Sequence, residues 1–340
     1  MHHSVTDNNN PNNSWQSQLK NTINNLEDLC SIVNIDFTEL KKHYLNLNPT
    51  FPLRAPKYFV DKITKSNIDD PLLLQILPLS QELITEPGYC QDPLGENQNY
   101  IKAPGLIHKY NNRILLTLTS ACGIHCRYCF RQYFPYSKNI IATNQRNLQL
   151  DYIRSHNHIN EVILSGGDPL CVSNNYLDLI LAELSSIKHI QTIRFHSRMP
   201  IVIPDRIDNS FLEILDRYSN NFKFVLVTHC NHPNELDDYI KYKMKLLKNN
   251  NVTLLNQSVL LKNINNNPEI LINLSKKLFD CYILPYYLHL LDPVQGAGHF
   301  DLTEIQAKKI FQEINSKLSG YLVPRLVREI PGKLNKTVIL

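Results

Sequence analysis

Between Arg113 and Leu290 the chain alternates short apolar, strand-like runs with helical segments, and this alternation constrains the fold more than any other feature. The runs are Arg113–Thr119, Glu161–Ser165, Gln191–His196, Phe222–Thr228, Val252–Val259 and Cys281–Leu290. Helical patterns lie between them near 145–156, 175–187, 207–218, 234–248 and 268–279. Successive strand starts are mostly about 30 residues apart, the size of one βα unit. Six such units predict an α/β fold, a parallel sheet curled into a partial barrel, with a doubly wound open sheet as the alternative. In either, the C-terminal strand ends form the active face. Polar residues fall there in turn: Cys122, Gly166-Gly167-Asp168-Pro169, Ser197-Arg198, His229, Asn256-Gln257, then His289 and Asp292.

Before the alternation, Trp15, Leu19, Ile23, Leu26, Leu29 and Val33 recur at helical spacing, with Asn13 or Ser14 as N-cap. Further short helices are expected near 37–45, 58–64 and 71–77. The stretch 86–112, broken by prolines and glycines, reads as a long connector. The expected organisation is a disordered tail (1–14), a helical region with connector (15–112), the barrel (113–295) and a C-terminal segment (296–340). The first residues, MHHSVTDNNNPNNS, have no apolar h-region, and no run approaches the roughly 18 apolar residues of a membrane span. A cytoplasmic location with reduced cysteines is therefore expected. A formal charge of +4 gives no field that would advertise a nucleic-acid or membrane partner.

Three of the eight cysteines fall in one short stretch, Ala-Cys122-Gly-Ile-His-Cys126-Arg-Tyr-Cys129-Phe, a C-x3-C-x2-C spacing on the loop after the first strand. Thiolates are soft ligands for iron–sulfur clusters or zinc. A 4Fe–4S cluster ordinarily takes one cysteine per iron, so three ligands leave one iron with an open site. The alternative is a zinc site completed by His125 or His108. The other five cysteines read as buried or incidental thiols.

The cysteine loop, with an aromatic beside its last cysteine, resembles the radical S-adenosylmethionine (SAM) superfamily. In that superfamily SAM chelates the open iron, and one-electron reduction releases a 5′-deoxyadenosyl radical. Gly166-Gly167-Asp168-Pro169 resembles the superfamily's glycine-glycine-acid segment, which contacts the SAM amino group. The resemblance extends along the chain. DPLGE (92–96), PGLIHKYNNR (104–113), CRYCFRQYFPY (126–136), ILSGGDPL (163–170) and RMPIVIPDRI (198–207) look like the lysine 2,3-aminomutase family. THCNHPNE (228–235), LLNQSVLLKNIN (254–265), LPYYLHLLD (284–292) and SGYLVPRLVREIP (319–331) do so as well. The branch resembled most makes (R)-β-lysine for modification of elongation factor P.

The resemblance implies a radical SAM partial (βα)6 barrel, a 4Fe–4S cluster on Cys122, Cys126 and Cys129, SAM, and pyridoxal phosphate (PLP) on a C-terminal lysine. That lysine corresponds to Lys336, with Lys333 a rival, and a lysine in an exposed tail would otherwise read as merely solvated. Arg113, Tyr110 and Lys109 match the phosphate contacts. Arg131 matches a carboxylate-binding arginine, and Asp292 a binder of a substrate ammonium. Glu329 stands where the family has an aspartate. His229 and Gln257 match SAM-pocket positions. The implied activity is an isomerase moving the α-nitrogen of L-lysine to the β-carbon, with an external electron donor and a link to the enzyme that transfers β-lysine. Stand-alone members carry a C-terminal extension with zinc-binding cysteines. Here no cysteine follows Cys281, so no such zinc is expected, and whether the chain forms a homo-oligomer stays open. An aminomutase for another amino acid such as arginine, a radical SAM enzyme without PLP and a metal-stabilised binding module are the alternatives.

Overall fold

The structure, a computed structural model, describes residues 14–43, 45–46, 49–96, 100–139 and 146–340. The expected tail, apart from Ser14, lies outside them. Ser14 caps the first helix, accepting a hydrogen bond from the Ser17 amide. One helix is not continuous across the Trp15–Val33 pattern, as the apolar spacing had suggested. The chain forms Trp15–Lys20 and Leu26–Val33, interrupted where Asn25 caps the second helix through the amides of Glu27 and Asp28. Asparagine competes with helical backbone bonding, and here it wins. Ile23 in the gap pairs with Ala55 through two backbone bonds.

Ten strands form one sheet in sequence order: β1 (Ile101–Ala103), β2 (Leu106–Tyr110), β3 (Arg113–Thr119), β4 (Glu161–Gly166), β5 (Thr192–Ser197), β6 (Lys223–Thr228), β7 (Thr253–Val259), β8 (Leu284–His289), β9 (Arg325–Arg328) and β10 (Thr337–Val338). Strands β3 to β9 run parallel, while β1–β2–β3 and β9–β10 pair antiparallel at the two edges. The stretch expected to be a connector therefore carries two strands. Its Pro104-Gly105 breaker is the two-residue turn between Ala103 and Leu106, with Gly105 at φ +72°, the proline-glycine pattern of a type II turn.

Six helices fill the crossovers: Arg146–Ser155, Asn174–Ser185, Asn209–Arg217, Asp238–Asn249, Pro268–Asp280 and Glu304–Lys317. With their strands they make a partial (βα)6 barrel. The sixth helix was not anticipated from sequence, although its buried Ala307, Ile310, Phe311 and Ile314 carry the i, i+3, i+4, i+7 pattern. Side-chain oxygens of Ser173, Asp208, Asp237, Asn267 and Thr303 cap successive helices.

Strand alternation divides the molecule into an apolar outer layer and a polar interior. In β5, Ile193 and Phe195 are buried beneath the helices while Arg194 and His196 face the central cavity. In β4, Val162 and Leu164 point outward and Ile163 and Ser165 inward. Each aliphatic side chain buried in the outer layer contributes about 1.5–3 kcal/mol, which offsets the polar lining. No helix among the described residues is long and apolar enough to cross a membrane.

Candidate active site

At the C-terminal strand ends lies a cavity of about 470 Å3, the size of a cofactor site. Cys122, Cys126 and Cys129 enter it from the loop after β3. Of the residues between them, His125 and Arg127 point the other way and fasten the loop to the N-terminal region. Buried Arg127 pairs with Glu82 through Nε (2.7 Å) and Nη2 (2.5 Å) and donates to the Phe51 carbonyl (2.6 Å). His125 stacks on Phe51 at 4.3 Å, with Nδ1 2.8 Å from the Pro52 carbonyl. His108 packs instead among Tyr152, His156 and His158. Both histidines considered as zinc ligands are thus engaged elsewhere. Among the described residues no three His, Cys, Asp or Glu side chains are grouped to hold a single ion. Three thiols that share a cavity without converging on one point suit a multi-iron cluster, in which each iron takes its own cysteine.

The Gly166-Gly167-Asp168 turn after β4 packs against this loop at contact distance. Gly166 has φ +124°, and a Cβ at Gly167 would lie 2.4 Å from the Ala121 carbonyl oxygen. The Gly167 and Asp168 amides donate to the carbonyls of Thr119 (2.7 Å) and Ala121 (2.8 Å). The Asp168 carboxylate is not open to a ligand amine. It accepts from Ser197 Oγ and the Arg198 amide (2.7 Å each), the Leu170 amide (3.0 Å) and the Met199 amide (3.1 Å). Its work is to tie the ends of β4 and β5 together, which leaves the glycine backbone for any contact in the cavity.

Arg131 also lines the cavity, but Glu96 already holds its Nε (2.8 Å) and Nη2 (2.9 Å) side-on. Nη1 lies 3.2 Å from Ser165 Oγ and is the arm of the fork that Glu96 does not hold. His229, after β6, meets Tyr128 Oη at 3.0 Å and the Gln257 backbone. Burial, with nearby Arg198, pushes His229 down to about 3, so it is neutral. Gln257 on β7 lines the same wall.

The opposite wall comes from the sheet edges. Thr337 of β10 pairs with Arg328 of β9, and this register sets Lys336 beside Glu329, Nζ to Oε2 2.8 Å. Lys336 faces the cavity and is not a solvated tail residue, whereas Lys333 is exposed. Glu329 is fully engaged as well: Lys109 Nζ and Tyr110 Oη each lie 2.5 Å from Oε1. Burial opposes its charge, yet Lys336, Lys109 and Tyr110 bring Glu329 down to about 2. In this state it serves as a counter-ion for two lysines, not as an open acid for a substrate ammonium. Tyr110 gives its hydroxyl to Glu329 and its ring face to the Arg113 guanidinium at 4.2 Å, which leaves Arg113 the freest cation of the phosphate set. Asp292 is the open acid: its Oδ1 is sealed from solvent without a hydrogen-bond partner, and burial pushes it up to about 7 against the pull of Lys336.

Residues 112–195 match the family described as "4Fe-4S single cluster domain". Over 339 residues the chain is 44% identical to the L-lysine 2,3-aminomutase of Escherichia coli K12, covering 99% of this chain and 97% of that one. It is 47% identical to the enzyme of that name from Buchnera aphidicola (96% and 95% covered) and 45% identical to that from Haemophilus influenzae (96% and 95%). The chain belongs to the lysine 2,3-aminomutase family. It is accordingly a radical SAM isomerase, and membership implies a 4Fe–4S cluster, SAM and PLP.

Fourteen of the residues singled out in the sequence of this aminomutase-family chain line this cavity: Cys122, Cys126, Cys129, Gly166, Gly167, Asp168, Tyr110, Arg113, Arg131, His229, Gln257, Asp292, Glu329 and Lys336. The donors fit the implied groups, with three thiols at one wall and a lysine amine with an arginine and a tyrosine at the other. Sequence reasoning missed Glu96 and the pairing of Lys109. Glu96 closes the DPLGE motif, and an acid there was the available signal. His196, whose Nε2 is buried without a partner, is polar in an otherwise strand-like run.

Proposed function

We propose that this chain converts L-lysine to β-lysine with PLP carried on Lys336, and that the product serves modification of elongation factor P in the cytoplasm. The observation that carries the substrate assignment is the pairing of a half-open cation with an unpartnered anion in one cavity. Arg131 Nη1 suits the α-carboxylate, and Asp292 suits the distal ammonium. Glutamate is disfavoured because Asp292 would repel its side chain, Glu329 being already neutralised by Lys109 and Lys336. When bound, the cluster and SAM supply a carbon radical that removes a substrate hydrogen, and PLP lets the nitrogen pass between adjacent carbons.

The chain's own groups bind, orient and exclude. Glu329 keeps the Lys336 ammonium fixed at the cavity wall until the cofactor takes its place, and Lys109 and Tyr110 keep Glu329 in position. The elongation factor link rests on the sequence resemblance to the branch serving it, and an external one-electron donor is required.

The test is an anaerobic assay with reconstituted iron–sulfide, PLP, SAM, dithionite and L-lysine or L-arginine, read by mass spectrometry. Borohydride treatment followed by peptide mapping locates the PLP. Lysine-dependent β-lysine with the label on Lys336, and neither in Lys336→Ala, is the expected result. SAM cleavage without β-lysine would overturn the substrate, and a label on Lys333 would overturn the PLP assignment.

A further inference from the structure

We propose that Arg198 sets the reduction potential of the iron–sulfur cluster, by holding a fixed positive charge and an N–H donor against the sulfur of Cys126. The inference rests on the reading of Cys126 as a cluster ligand. Arg198 directly follows β5 and is 6% exposed. Its Nη1 lies 2.7 Å from Cys126 Sγ and 2.9 Å from Tyr128 Oη. Its Nη2 donates to Gln75 Oε1 (2.7 Å) and Glu235 Oε2 (2.9 Å). Its backbone amide is pinned by Asp168, so the side chain starts from a fixed point.

The arrangement is not that of an arginine kept only to neutralise an acid. An ion pair formed for its own sake would place the guanidinium fork on both oxygens of Glu235. Instead Glu235 spends Oε1 on the amides of Asn231 (2.9 Å) and His232 (3.0 Å), and meets Arg198 through Oε2 alone. That leaves the other arm of the fork for the thiol. A buried guanidinium is costly to desolvate and adds nothing to packing that a methionine would not supply. Its placement calls for a negative group beside it, and the nearest one besides Glu235 is a ligand sulfur.

Three thiolates around a 4Fe–4S core carry one net negative charge when the core is oxidised and two after it takes one electron. The electron comes from a low-potential external donor, and no proton moves, because arginine stays charged throughout. A positive charge at hydrogen-bond distance from a ligand sulfur favours the more negative state and therefore raises the potential. Arg198 is thus a positioning and tuning residue that acts through Cys126.

The experiment is an EPR-monitored redox titration of reconstituted full-length Arg198→Gln and Arg198→Lys beside the wild type, with iron content measured for each. In Arg198→Gln with full iron, the reduced-to-oxidised ratio at the wild-type midpoint should fall about tenfold, a midpoint lower by about 59 mV for a one-electron couple. Arg198→Lys, which keeps the charge and loses the fork, should fall between. An unchanged midpoint in fully loaded Arg198→Gln overturns the proposal. If neither variant takes up iron, wild-type protein labelled with guanidino-15N arginine decides. A 15N hyperfine coupling to the reduced cluster that persists in Arg131→Lys supports it, and absence of coupling overturns it. A wild-type chain that assembles no cluster sinks the reading of the three cysteines, and this inference with it.

Discussion

Asp292, with Oδ1 buried and unpartnered, burdens the ligand-free fold. An acid raised from the ordinary 3.8 to about 7 binds its proton more tightly in the folded chain than in the unfolded one. Between those values the folded state carries the extra proton, so stability from this group falls as pH rises, and the full loss is present above about 7. The rise corresponds to about 4 kcal/mol as an order of magnitude. Asp292→Asn should therefore stabilise the ligand-free protein by about 1–3 kcal/mol at pH 8, with the gain shrinking toward pH 4. The same variant should bind lysine at least about tenfold more weakly. Thermal melts across that range and equilibrium binding to the PLP form check both, and a variant less stable than wild type at pH 8 would refute the idea. Glu329, pushed down to about 2 by the lysines that surround it, works in the opposite sense: it stabilises above its ordinary range and loses that contribution only in acid.

Single glycines control how closely elements approach at the strand ends. The β4 turn reaches the loop carrying Cys122 only because Gly167 has no side chain: an added methyl would sit 2.4 Å and 2.6 Å from the Ala121 and Ser120 carbonyl oxygens. These are backbone atoms and cannot step aside as a flexible side chain could. Gly167→Ala should cost about 3 kcal/mol or more and should lower iron incorporation, because the displaced loop carries a cluster cysteine. Denaturant unfolding of the metal-free protein and iron content after reconstitution measure the two effects separately. Retention of both at wild-type values would show that the two loops are not mechanically joined. The edge hairpin β9–β10 acts at the same scale, since a shift of one residue in its register would turn Lys336 away from Glu329.

Across the whole molecule, the N-terminal helices are clamped to the barrel by charge and aromatic contacts. The buried Arg206 guanidinium lies 4.6 Å from the Trp15 ring and 4.7 Å from that of Phe211. Its Nε donates to the Leu170 carbonyl, two residues beyond Asp168. Trp15 Nε1 in turn donates to Asp208 at 3.0 Å, and Gln18 Nε2 to Asp205 at 2.7 Å. Trp15→Ala should cost about 3–5 kcal/mol and should shift one cooperative transition for the whole chain. A first transition confined to the N-terminal region in calorimetry would show instead that the two parts unfold separately.

Legible in the sequence were the βα period, the positions of strands β3 to β8 to within a few residues and the strand ends at which polar chemistry collects; β1, β2, β9 and β10 were not. The legible features follow from local periodicity, which each segment carries alone. The sequence also determined that three cysteines share one loop, because their spacing is covalent. Only the tertiary structure decided which of the polar groups are free. Asp168, Glu329 and most of Arg131 are committed to partners far away in sequence, among them Ser197, Lys109 and Glu96. Asp292, from the same pattern of residues, is left without one. Whether a buried charge is satisfied depends on what the fold brings within about 3 Å of it, and no run of neighbouring residues encodes that distance. The pairing of Lys336 with Glu329 has the same origin: seven residues apart in the chain, they meet because β10 folds back along β9.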